Sequence, residues 1–434
     1  MQRLLRHGWG LLAPALSIMV GMLVFLWNPV PVQVLRNAVF DQYQRWQPRT
    51  YQTQAPVRII DIDDESIKRL GQWPWPRTRM AELTTKLQEA QANAIAFDIL
   101  FTEADRTSPQ AMLDLWQAPA AVREPLRQLP DHDAVLAQAI AHGRVVLGFA
   151  LDRQPALPDE PRQSPWVTQA RYIAIGEPAQ PYVHAFTHAL PTLPILQAQA
   201  DGSGAVVFVP DPDGVVRRVP LLVRAGNQLL PTLAAEALRV AQGAKNYTTR
   251  TSAAQGVGLE EVRIGQLAVP TTAQGEVWVH YATPQPQRYI PAWKLLAGDV
   301  PIQELKGRIV LLGASAQGLM DLRFSPLGSV LPGVEIHAQL LEQVLANTGG
   351  LRRPAWAFTT EALTIVAGGA LVGWVALTFS AVLSFALFAA LLVTLWASAW
   401  WAFSAHGLLL DPVLPGLVMV VAFVLASIVH HLVS

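Results

Sequence analysis

The chain has 434 residues, 51% of them hydrophobic and 15% charged, with 32 basic residues, 32 acidic residues and no cysteine. So apolar a balance excludes an entirely soluble protein and points to membrane spans. Zero net charge without a basic tract argues against a nucleic-acid partner, and the lack of cysteine excludes disulfides, thiolate catalysis and cysteine-type zinc sites.

In chain order, a short polar start (1–7) precedes residues 8–27, which carry no charge over twenty positions, enough to cross ~30 Å of hydrocarbon. This predicts a first span over 8–28. A cleaved signal peptide with Arg3 and Arg6 as its basic head is the competing reading, although the run is long for one and no A-x-A site follows it. Val32–Trp46 reads as a linking helix, bracketed from the next strand by Pro48 and Pro56.

Residues 29–357 have ordinary globular composition. A strand at 57–63, a helix from Thr78 to Gln91, a strand at 94–101, a helix at 131–142 and a strand at 145–151 alternate in turn. That rhythm predicts a mainly parallel sheet, and near-continuous apolar strands agree with burial on both faces. The middle predicts an embedded β-rich section: a hairpin turning at Asp211–Gly214, a helix from Pro231 and a strand at 276–282. The sheet resumes at 307–313, followed by a helix from Val334 to Ala346, while 104–130 and 152–200 read as long loops or insertions.

Ala362–Ala405 contains no charged residue, too long for one span and right for two, with a turn near Thr378–Ala381. A further span begins after Asp411-Pro412, an aspartate N-cap with proline at the first helical position. The expected spans are therefore 8–28, 360–379, 382–404 and 411–430, with a short end at 431–434. Charge does not orient them: Arg3 and Arg6 favour an inside N-terminus, but Arg36, Arg352 and Arg353 lie beside the membrane on the other side. Gly368, Gly369 and Gly373 permit close helix approach, which suits a homodimer or packing within one chain.

The chemistry concentrates in "VRIIDIDDESIKRLGQWPWPR", residues 57–77. Asp61 and Asp63 share a face, and Asp98 lies near the end of the next strand, at the carboxyl ends where open α/β sheets bind ligands. These three carboxylates could hold a divalent ion and serve a metal-dependent hydrolase. The bland alternative makes Asp61 or Asp98 an ion-pair partner of Arg77. Pro74 and Pro76 stiffen a strip that presents Trp73 and Trp75 on alternate sides, as an aromatic cage or as a packed corner. "GASAQG", 313–318, follows a strand, so its amides around Ser315 offer an anion nest without the GK[ST] of a P-loop. Ser315, Asp321 and His337 stand in the chain order of a hydrolase triad but lack the nucleophile elbow. Glu335 and His337, two apart on a helix, face different ways, reading as a helix-start acid and a satisfied histidine. No catalytic residue, metal ligand or cofactor is assigned on these grounds.

The segments "VRIIDIDDESIKRLGQWPWPR", "AIAFDILFTEADR", "DPDGVVRRVPLLV", "GRIVLLGASAQGLMDLRFSPLG" and "PGVEIHAQLLEQVL" together resemble the type-two CHASE domain, an extracytoplasmic sensory module of bacterial receptors. The one-plus-three layout of spans is similar to that family as well. The resemblance implies both termini in the cytoplasm, the large domain in the periplasm, a small ligand or periplasmic protein as partner, and a nucleotide cyclase or kinase as effector. It supplies no catalytic residue. The chain stops at Ser434 with no effector, so the expectation is a longer native product or a separate output partner. A structural docking protein of the membrane is the bland alternative.

Overall fold

The computed structural model describes residues 2–116, 119–153, 169–252, 258–319, 321–346 and 350–433. Two helices open the chain, α1 (Gln2–Trp27) and α2 (Val30–Trp46). The strands of the central sheet are β1 (Val57–Ile62), β2 (Ala94–Leu100), β3 (Val145–Asp152), β4 (His188–Leu190), β5 (Gly202–Ala205), β6 (Tyr289–Pro291) and β7 (Ile309–Ala314). Its main helices are α3 (Asp64–Leu70), α4 (Arg77–Glu89), α5 (His132–Ile140), α6 (Leu233–Ala241) and α7 (Gly333–Ala346). Three long helices close the chain, α8 (Trp356–Thr378), α9 (Ala381–His406) and α10 (Val413–Val433). Contacts divide it into two compact units, 1–48 with 351–434, and 49–350.

In the 49–350 unit the sheet runs β6-β1-β7-β2-β3-β4, with β5 also paired to β3. Every pairing is parallel except β3 with β4. Successive residues go to opposite faces, and the register keeps the faces separate. Ile59, Leu311, Ala96 and Val146 lie side by side, as do Ile60, Leu312, Phe97 and Leu147. The first row packs with α6 and α7 through Leu233, Leu238, Val334 and Leu340. The second packs with α4 and α5 through Met80, Leu83, Leu87 and Leu136. Each such aliphatic side chain contributes roughly 1.5–3 kcal/mol when fully buried. Strands apolar on both faces thus end up between two layers of helices.

The β-rich section is present, including a four-stranded sheet of 171–175, 246–252, 258–264 and 267–270. Its details differ from expectation. The Asp211–Gly214 turn forms, with Gly214 N donating to Asp211 O at 2.8 Å, but no hairpin flanks it. Pro210 and Pro212 lack the N–H a ladder needs, and Arg218–Pro220 pairs instead with Glu276–Trp278, all that remains of the expected strand 276–282. The actual hairpin is Leu222–Ala225 with Gln228–Pro231. Segment 104–130 contains two short helices, Pro109–Trp116 and Ala120–Arg127, rather than loop alone. Segment 152–200 contributes Arg171–Ile175, Ala185–Phe186 and β4. Residues 117–118 and 154–168 of those two insertions, like Met1 and Ser434, lie outside the described residues.

In the other unit, α8, α9 and α10 are each long and apolar enough to cross a membrane. The expected first span is less simple. Residues 12–27 meet the same criterion only together with α2, from which they bend by 84° at Asn28-Pro29. The glycines pack within the chain. A Cβ on Gly369 would meet Ile18 at 2.6 Å, one on Gly373 would meet Pro14 at 2.6 Å, and one on Gly368 would touch Met419 at 3.1 Å. α2 belongs to this unit by contact, with Tyr43 and Trp46 edge-on to Trp400 at 5.4 and 5.3 Å.

Candidate functional site

A cleft of about 490 Å³ opens at the carboxyl end of the sheet, lined by Trp73, Trp75, Arg77, Asp98, Leu319, Ile99, Leu100 and the chain from Thr102 to Arg106. β2 ends there, and its register with β3 slips between Phe97 and Leu100, the stretch that carries Asp98. This is where a parallel sheet exposes strand ends and helix starts to a ligand.

Four of the seven residues singled out in the sequence meet in this cleft, and their roles differ. Trp75 is buried and donates its indole N–H to Gly71 O at 2.7 Å. Trp73 is half-buried and meets Trp75 edge to face at 5.5 Å. The rings therefore do not alternate sides, because the core and the Gly71 carbonyl draw Trp75 inward. The motif is a packed corner with one ring left on the cleft.

Arg77 pairs with neither Asp61 nor Asp98. Its Nε lies 3.3 Å from Asp133, its Nη2 donates to Glu103 O at 3.0 Å, and its guanidinium covers the Phe101 ring at 4.6 Å. Its backbone N–H donates to Asp105 at 2.7 Å. Burial pushes Asp105 up, but donors from Arg77, Thr107 and His132 outweigh it and hold the carboxyl below its ordinary value. Arg77 thus clamps the tryptophan corner onto the chain that leaves β2.

Asp98 is the exception. Among the described residues no group donates a hydrogen bond to its carboxyl or forms an ion pair with it. Burial pushes it up to about 7, Asp321 adds to the rise, and Arg323 opposes it. Arg323 itself is paired with Asp321. A partly buried carboxyl without donors is costly in its ionised form.

Asp61, Asp63 and Ser315 do not line the cleft. Asp61 accepts from Ser315 N at 3.1 Å and Ser315 Oγ at 2.7 Å. Burial raises it to about 6, against the pull of those Ser315 bonds. Asp63 is the N-cap of α3, accepting from Ser66 N at 2.8 Å, so it shares no site with Asp61. The amides after β7 are used too, since Gln317 N donates to Asp64 at 3.2 Å. The expected anion nest is filled by the chain's own carboxylates. Gly313 lets this stretch come close to α7, where a Cβ would meet Val334 at 2.6 Å.

The three candidate metal ligands therefore stand in three separate environments, and β7 separates β1 from β2. Among the described residues no three histidine, aspartate or glutamate side chains come together as a metal requires. The triad fails as well. His337 is fully buried against Phe208 at 4.6 Å, and neither ring nitrogen has a partner among the described residues. Burial alone lowers it to about 3, so it is a neutral core residue rather than a satisfied one.

A second cluster escaped the sequence reading. Arg288 is completely buried and donates to Glu335 at 2.7 Å and to both oxygens of Glu342 at 2.8 and 3.0 Å. Glu335 also accepts from the Tyr289 hydroxyl. Arg49 joins by donating to Glu342 at 2.7 Å and Gln339 at 2.8 Å. Glu335, Gln339 and Glu342 recur at helical spacing along α7, which could have flagged a polar stripe. Their arginines are distant in sequence and could not be matched. In the cleft, Glu103, Asp105 and Arg106 were likewise passed over, although charged residues just beyond a strand's carboxyl end are the available signal.

Comparison with protein families matches the CHASE2 domain over residues 17–379. The chain belongs to the CHASE2 domain family. CHASE2 domains are extracytoplasmic and sensory, so the cleft and the ion network are parts of a sensory domain in a chain that also has helices long and apolar enough to cross a membrane. No curated protein and no solved structure matches this CHASE2 chain.

Proposed function

We propose that this CHASE2 chain is the input module of a bacterial signalling receptor. Four spans hold it in the cytoplasmic membrane with both ends inside, and the α/β domain stands outside. It binds a small ligand or a periplasmic partner and passes a conformational signal to a cyclase or kinase, carried further along the same product or by a separate chain.

The observation that supports this reading is where the ion network lies. The chain enters the sensory unit at Arg49 and leaves it after α7, and Arg49 pairs with Glu342 on that helix. Arg288 and Glu335 extend the network to Tyr289 on β6, which pairs with β1, the strand that carries Asp61. Entry, exit and sheet are thus linked by charge pairs whose partners are fixed in direction. A ligand shifts such an arrangement only by binding its two states unequally.

The test exploits the absence of cysteine. Ile18→Cys with Gly369→Cys places one thiol on each of two helices that touch. Disulfide yield in membrane vesicles is compared between the otherwise native chain and Arg49→Gln, with circular dichroism confirming the fold. A changed yield supports transmission from the network to the spans. An unchanged yield in a folded variant rejects it and favours a docking protein.

A further inference from the structure

Resting on the sensory reading, we propose that the cleft binds a small organic cation, its ammonium group paired with Asp98 and its apolar body lying against Trp73.

The argument is one of elimination among the groups that face the cleft. Arg77 is committed to Asp133 and the Glu103 carbonyl. Asp105 is committed to Arg77 N, Thr107 and His132. The amides beyond β7 that would hold an anion are committed to Asp61 and Asp64. What remains is Asp98, a half-buried acceptor with no donor among the described residues, while Glu103 and Arg106 are exposed lining residues open to water.

A ligand that brings N–H donors and positive charge supplies what Asp98 lacks, whereas an anion brings repulsion to that carboxyl. Trp73 adds the second element. Its ring is fixed edge-on by Trp75 and half-open to the cleft, so it can cover an apolar body or the cation itself. Ile99, Leu100, Ala314 and Leu319 complete an apolar wall. About 490 Å³ is the volume of a small-molecule site.

The experiment is calorimetric titration of the full chain in lipid nanodiscs at pH 8. Three cations serve as probes (phenethylamine, cadaverine and choline), with phenylacetate and 2-phenylethanol as anionic and neutral controls. The expected result is saturable binding of at least one cation and none of phenylacetate. Asp98→Asn should weaken that cation at least tenfold and Trp73→Leu several-fold, with Asp98→Glu recovering part of the loss. The proposal is overturned if no cation binds, if phenylacetate binds as well as the cations, or if Asp98→Asn leaves affinity unchanged.

The cysteine pair separates this from the sensory reading. If no cation binds yet Arg49→Gln still changes disulfide yield, the ligand class is wrong and the receptor stands. If a cation binds through Asp98 and the yield responds neither to it nor to Arg49→Gln, the cleft is a binding site and the receptor reading falls.

Discussion

At Arg288 a buried guanidinium meets three carboxylate oxygens in near-ideal geometry, whereas at Asp98 a carboxyl in the same sheet meets no donor among the described residues. The first region has every charge answered from within the chain. The second leaves one charge for something else to answer. Buried ion networks give little net stability over an apolar core, yet breaking one leaves uncompensated charge and costs several kcal/mol. A buried carboxyl without donors meets that cost by holding its proton, which is why burial raises it to about 7.

The largest expected effect breaks the answered region. Arg288→Met leaves Glu335 buried without a cation and Glu342 with Arg49 alone, which should destabilise the sensory unit by about 3–5 kcal/mol. Thermal unfolding of the purified chain measures it. Adding Glu335→Gln and Glu342→Gln should recover much of the loss, and no recovery would mean the network is held for geometry rather than for charge balance.

Next comes the unanswered region, where the sign reverses. The folded chain keeps the Asp98 proton up to about pH 7, while the unfolded chain releases it near 3.8. Stability contributed by this group is therefore full below pH 4 and falls as pH rises to 7. Asp98→Asn removes that slope and should stabilise the protein at pH 8, by at most about 4 kcal/mol at ~1.4 kcal/mol per unit. Denaturant titrations at pH 5 and pH 8 read the difference, which should be larger at pH 8. Destabilisation at both would place Asp98 among the answered charges.

Ser315→Ala tests the intermediate case. Asp61 loses its side-chain donor but keeps the Ser315 amide, so the cost should be about 1–3 kcal/mol. The Asp61 carboxyl should then titrate above 6, because a bond that favours its charged form is gone; carboxyl NMR follows that midpoint. The smallest effect belongs to Asp63→Ala, the loss of one helix cap, at about 1 kcal/mol. A much larger loss, or any loss of cation binding, would return Asp63 to the site.

Reading the residues in order recovers the sheet because its signal is local. Strands such as "IVLLG" are apolar on both faces wherever they occur, and α4 shows its buried side at 80, 83 and 87 without reference to any partner. The hairpin at Asp211–Gly214 failed for a non-local reason: the turn is encoded, but the pairing of Arg218–Pro220 is decided by a strand more than fifty residues away. The site divides in the same way. The carboxyl end of the sheet could be located from Asp98 and the tryptophan corner, yet nothing in the sequence separates Asp61, which Ser315 satisfies from 254 positions away, from Asp98, which stays unsatisfied.

The sequence by itself determined the helices long and apolar enough to cross a membrane and the α/β sensory domain, because hydropathy runs, strand periodicity and motif order are properties of neighbouring residues. Only the tertiary structure decided which charges are spent and which is left over. Hydrogen bonds and ion pairs join residues that the chain brings together from far apart, and a group's burial depends on what packs around it. Arg77 turning to Asp133, Arg288 binding two glutamates of α7, and the glycines of α8 meeting Pro14 and Ile18 are all of that kind.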